Sequence, residues 1–239
     1  MQRWGKNVGA AAFFIICLSV VVNDTIAATL LPPTPYLSVA NSPIGTAVNE
    51  YFYLENFEDG SLSTAGVTLS PGGIITAPSE LTDSVDSDDG TIDGSGTLGR
   101  SLLTGGQTNT FSFQFDAVAL GHLPTRAGIV WTDVGAVDGG PLGVGTVIFE
   151  AFGPANESLG MTVADMLGDG AITGATAEDR FFGAINPDGI SRITITMPNS
   201  TDWEVDHLQY LRVPEPGGAT LMFAYLTAIA GMRRPVSRR

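Results

Sequence analysis

The chain has 239 residues, 44% of them hydrophobic and 15% charged, which suffices for one globular domain or two small ones. Its 30 glycines and 14 prolines exceed the average share but fall short of a disordered chain's, so a turn-rich fold is expected. With 25 acidic against 11 basic residues the formal charge is −14, and nucleic acid is excluded as a partner because nothing would neutralise its phosphates.

The basic residues cluster at the two ends. Between Thr29 and Pro216 only Arg100, Arg126, Arg180, Arg192 and Arg212 remain, with no lysine, against every acid except Asp24. Such a stretch stays soluble by self-repulsion and attracts divalent cations, calcium among them. Residues 1–28 have the build of a secretory signal: Arg3 and Lys6, an apolar run from Val8 to Val22, then small residues at Ala27 and Ala28 where a signal peptidase can cut. The run is about 15 residues, shorter than the roughly 20 of a spanning helix. Cys17 lies inside it behind Ile16, which is too large for a lipidation site, so the mature chain, beginning near Thr29, carries no cysteine.

Residues 29–48, with Pro32, Pro33, Pro35 and Pro43, read as an extended spacer, and the folded passenger is expected over 49–212. Within it, Phe111, Phe113 and Phe115 alternate with Ser112 and Gln114, and Ile193, Ile195 and Met197 with Thr194 and Thr196. A period of two with one apolar face predicts half-buried strands. Further strands are expected at Tyr51 to Phe57, Gly73 to Thr76, Ala127 to Thr132, Thr146 to Phe152, Arg180 to Ile185 and Trp203 to Leu211, and a helix only at Ser158 to Leu167. Short strands separated by Gly and Asp clusters predict an all-β, antiparallel β-sandwich. Asp83, Asp86, Asp88, Asp89 and Asp93 crowd one glycine-containing loop with no base nearby, which suits calcium although the spacing is not an EF-hand's.

The domain opens on Leu54, Glu55, Asn56, Phe57, Glu58 and closes on Trp203, Glu204, Val205, Asp206. This pairing resembles the jelly-roll carbohydrate-binding modules, in which a first strand with a Phe-Glu segment and a last strand with an aspartate share a structural calcium. The resemblance implies a jelly-roll-like sandwich with Glu58 and Asp206 as oxygen ligands, and polysaccharide as a partner.

At the C-terminus Val213, Pro214, Glu215, Pro216, Gly217 and Gly218 precede an apolar run from Ala219 to Met232 and then Arg233 and Arg234. The run is about 14 residues, or about 21 Å as a helix, short of a roughly 30 Å hydrocarbon core; it makes a marginal, transient membrane anchor whose arginines stay inside. The order of residues 213–239 resembles the PEP-CTERM sorting signal of Gram-negative bacteria, with Pro214, Glu215 and Pro216 in the motif positions and Arg233 and Arg234 at the basic end. That resemblance implies recognition by an exosortase, delivery to the cell surface or the extracellular matrix, and association with exopolysaccharide.

No zinc-protease, nucleophile-elbow or phosphate-loop motif occurs, and His122 and His207 sit in a turn and on a strand. A non-catalytic structural, carbohydrate-binding or calcium-binding role is the expectation. The alternative is a polysaccharide-active hydrolase with paired carboxylates, Glu150 and Glu204 first among the candidates. Trp131, Trp203 and Tyr210 could stack on sugar rings, but core positions suit them as well.

Overall fold

The computed structural model describes residues 27–45, 51–85, 99–172 and 178–212. Its twelve described strands form two antiparallel sheets packed face to face. One sheet holds β1 (Thr29–Pro35), β10 (Arg180–Ile185), β7 (Arg126–Val134), β12 (Trp203–Arg212), β5 (Leu102–Leu103) and β4 (Ile74–Ile75) in that order, with β2 (Tyr51–Glu55) also paired to β12. The other runs β3 (Val67–Ser70), β6 (Thr110–Phe115), β11 (Arg192–Thr196), β8 (Gly145–Phe152) and β9 (Ser158–Leu167). An all-β sandwich is therefore present, as the alternating segments predict.

The core lies between the sheets. The three phenylalanines of β6 and the isoleucines of β11 point inward from one side; Trp131 of β7, Phe182 of β10, and Trp203, Val205, Leu208 and Tyr210 of β12 point inward from the other. Aromatic rings interlock across the gap: Phe111 and Trp203 at 5.0 Å between centroids, Phe115 and Tyr210 at 5.3 Å, Phe149 and Phe182 at 6.2 Å. Each such side chain contributes about 1.5–3 kcal/mol by leaving water.

Two readings are corrected. Part of the segment expected to be a spacer belongs to the sandwich: β1 pairs antiparallel with β10 from Thr29↔Ile185 to Pro35↔Arg180, and Tyr36 and Ile44 are fully buried. Its prolines are tolerated because β1 is an edge strand whose register shifts between Leu31 and Thr34. The segment expected to be helical, Ser158 to Leu167, is β9, paired along its length with β8. It is also an edge strand, with Met161 and Val163 exposed, so sheet pairing overrode a local pattern that had no clean alternation. The one described α-helix is a single turn, α1 (Ala117–Leu120), capped by the Asp116 carboxylate, which accepts from the N–H groups of Val118 and Ala119. Among the described residues no helix is long and apolar enough to cross a membrane.

Candidate functional site

The strands β7 and β12 are the centre of the larger sheet, and their pairing is broken by two bulges. Trp203 faces Val134 and Val205 faces Trp131, so Thr132 and Asp133 together oppose Glu204. Further along, Asp206 faces Val130 and Gln209 faces Gly128, leaving His207 and Leu208 opposite Ile129, with His207 at a φ of 42°. A bulge inserts one residue and re-aims its neighbours. Here it keeps Trp203, Val205, Leu208 and Tyr210 in the core although their spacing is uneven. Glu204 and Asp206 are thereby directed to the outer face, beneath residues 83–85.

That outer face is not open. Tyr36, Ile44, Val85, Val130 and Phe181 form a second small apolar cluster over it. Beside the cluster, Asp83, Asp133, Glu178, Asp179, Glu204 and Asp206 are all buried. Some of their oxygens are satisfied by neutral donors. Glu204 Oε2 accepts from the Ser101 hydroxyl and from the Asp83 N–H at 3.1 Å. Asp206 Oδ2 accepts from the Ser84 hydroxyl at 2.9 Å and the Val85 N–H at 3.0 Å, and Oδ1 from the His207 N–H at 2.6 Å. Asp133 Oδ1 accepts from the Val134 N–H at 2.5 Å. By contrast, neither side-chain oxygen of Asp83 meets a donor, nor does Glu178 Oε2.

Charge makes this arrangement costly. Burial, and then the nearby Asp133, Glu178, Glu204 and Asp206, push the Asp83 carboxyl well above the usual carboxylate range. Burial also pushes Glu204 up to about 8, although the Ser101 hydroxyl and the Asp83 N–H act against it. Asp133 and Glu178 hydrogen-bond to each other, and burial raises both. Two carboxyl groups in contact cannot both ionise unless a cation lies between them; without one, the pair keeps a proton.

The cluster opens onto a pocket of about 350 Å³ lined by Asp133, Asp202 and Glu204, with Leu81, Leu142 and Ile172 exposed around it. Asp202 is fixed by the Ala136 N–H at 3.2 Å, and a Cβ at Gly135 would collide with its carboxylate.

Of the residues expected to bind metal, Asp86, Asp88, Asp89 and Asp93 lie outside the described residues, as do Pro214, Glu215, Pro216, Arg233 and Arg234 of the sorting motif. Glu58 is exposed and accepts the Arg100 N–H at 2.5 Å, whereas Asp206 is fully buried. Ser84 and Gly99 stand between them: a Cβ on Gly99 would touch both Ser84 and Glu58. Among the described residues no three Asp, Glu, His or Cys side chains are gathered closely enough, as placed, to hold an ion.

Glu150 and Glu204 do not form a pair. Glu150 lies on β8 in the opposite sheet, bound to the Ser158 hydroxyl at 2.5 Å, while Glu204 lies on the outer face of the larger sheet. Trp131, Trp203 and Tyr210 are fully buried, so they offer no stacking platform. Sequence reasoning missed Asp133 and Glu178. The signal was present in Asp133, an acid inside the apolar run Ile129 to Val134, and in Glu178 and Asp179 directly before apolar β10. An acid where alternation calls for an apolar residue is a buried charge in need of a partner. No family model, no curated protein and no solved structure matches the chain.

Proposed function

We propose that the protein is secreted, sorted to the cell surface of a Gram-negative bacterium through a PEP-CTERM tail cut by an exosortase, and acts there as a non-catalytic component of the exopolysaccharide matrix that binds polysaccharide. The pocket carries the binding role: its carboxylates can accept from sugar hydroxyls, and its exposed apolar rim can cover the ring face, the mixture that seats a polyhydroxylated ligand. The strand order supports a jelly roll. Taking β2, β6, β7, β8, β9, β10, β11 and β12 as eight successive strands, the first, eighth, third and sixth stand together in one sheet, and the second, seventh, fourth and fifth in the other. The strands β1 and β3 extend the two sheets at one edge each.

The contact between Asp133 and Glu178 favours binding over hydrolysis. A glycosidase needs its two carboxyl groups about 5 Å or about 6.5–9.5 Å apart, with the scissile bond or a water between them. Hydrolysis remains the second reading because Asp133 and Glu204 line one pocket. A glycan array with the secreted protein, followed by product analysis of each glycan retained, separates the readings. Retention of intact glycan is expected. Release of shortened products would move the protein to the hydrolases, and retention of nothing on the array would remove the polysaccharide role.

A further inference from the structure

We propose that Asp83, Asp133, Glu178 and Glu204 form a binding site for one hard divalent cation, calcium by its coordination chemistry. The site differs from the Glu58 and Asp206 pair and from the Asp86 to Asp93 loop, and it does not rest on the polysaccharide reading.

Asp83 is the independent observation. Its side chain is fully buried, lies near the carboxyl groups of Asp133, Glu178, Glu204 and Asp206, and presents two oxygens that no donor reaches. Leaving a carboxylate in that state costs far more than folding yields elsewhere unless a proton or a cation neutralises it. Glu178 adds another oxygen without a donor, and its contact with Asp133 already demands something positive between the two. Glu204 completes the set with its other oxygen, while its Oε2 is held by Ser101 and the Asp83 N–H, which ties the Asp83 backbone to the same group.

The ligands decide the ion. All four are carboxyl oxygens, which hard cations prefer and which zinc, with its taste for nitrogen and sulfur, matches less well. As placed, these carboxyl groups are not gathered closely enough to hold an ion, so binding has to draw them together. A cluster supplied by four separate segments can close on calcium, which accepts six to eight oxygens in irregular geometry, more readily than on magnesium, which demands a tight octahedron. The anionic surface raises the local concentration of such ions, and the pocket beside Asp133 and Glu204 gives them a way in.

The experiment uses the secreted protein, stripped by a chelator and titrated with calcium alone, read by calorimetry and by thermal unfolding. The wild type should bind one calcium in this site and unfold several degrees higher with it. Asp83→Asn and Glu178→Gln keep the shape and remove a charge, so each should weaken calcium by about tenfold or more. Each should also unfold at the same temperature as the stripped wild type or higher, because the neutral amide stands in for a carboxyl group that must otherwise keep a proton there. A residue that only shapes the fold would lower that temperature. The proposal is overturned if the stripped wild type takes up no calcium, or if both variants respond to calcium as the wild type does. Replacement of Asp86, Asp88, Asp89 and Asp93 by Asn is the control, and a calcium response lost there but intact in Asp83→Asn also overturns it. Calcium uptake without glycan binding leaves the site standing and removes only the polysaccharide role.

Discussion

Glu204 is held by two good donors and is nonetheless pushed up to about 8, so desolvation outweighs both hydrogen bonds. The sign of the consequence follows from proton linkage. In the ion-free protein the folded chain holds this proton more tightly than the unfolded chain, whose value is about 4.5. The stability this lends is complete below about 4.5 and is lost as pH rises toward and through about 8. Every tenfold gain in proton affinity on folding is worth about 1.4 kcal/mol. Glu204→Gln retains an oxygen for the Ser101 hydroxyl and the Asp83 N–H while removing the titration. In chelator its advantage over the wild type should be small at pH 5 and on the order of 2–4 kcal/mol at pH 8, read by urea unfolding at the two pH values. Equal advantage at both would show that Glu204 does not ionise across that window.

The two bulges between β7 and β12 explain which elements could be read from the chain and which could not. Phe111 to Phe115 and Ile193 to Met197 alternate without interruption, and each lies on a regular strand or runs one residue past its end. In β7 and β12 the inward residues are instead unevenly spaced, Trp131 then Val134 and Val205 then Leu208, so strict alternation carried along each strand assigns Asp133, and then Leu208 and Tyr210, to the wrong faces. The site is built on that irregularity, and its acids come from segments far apart in the sequence, which no local pattern joins. The strand β1 was hidden differently, since three prolines in seven residues argue against a strand unless it is an edge. Its weight can be measured. Tyr36, which follows β1, is buried, accepts from Gln209 Nε2 at 2.7 Å and bonds His207 Nδ1 at 3.1 Å. A chain beginning at Asn49, where the alternating pattern alone would start the fold, loses these contacts and the covering of β10. It should unfold at least 10 °C below a chain beginning at Thr29, or fail to fold, in a thermal scan. Equal melting temperatures would return residues 29–45 to the role of a spacer.

On the scale of the whole molecule, the two outer faces differ. The outer face of the smaller sheet presents Thr194, Thr196, Ser112 and Gln114, with Met161 and Val163 exposed along its β9 edge. The outer face of the larger one buries a group of carboxyl groups under a short loop and joins it to a pocket. A protein kept in a calcium-poor compartment would hold these acids by protonation alone; outside the cell, millimolar calcium can replace the protons. The proposed route through a signal peptide and a sorting tail therefore agrees with the chemistry of the site. Native mass spectrometry of the protein recovered from the cell exterior reads both at once. The account predicts a chain that begins near Thr29, has lost the segment after the Pro214–Glu215–Pro216 motif, and retains calcium that a chelator removes. A cytosolic chain with both ends intact and no bound ion would contradict it.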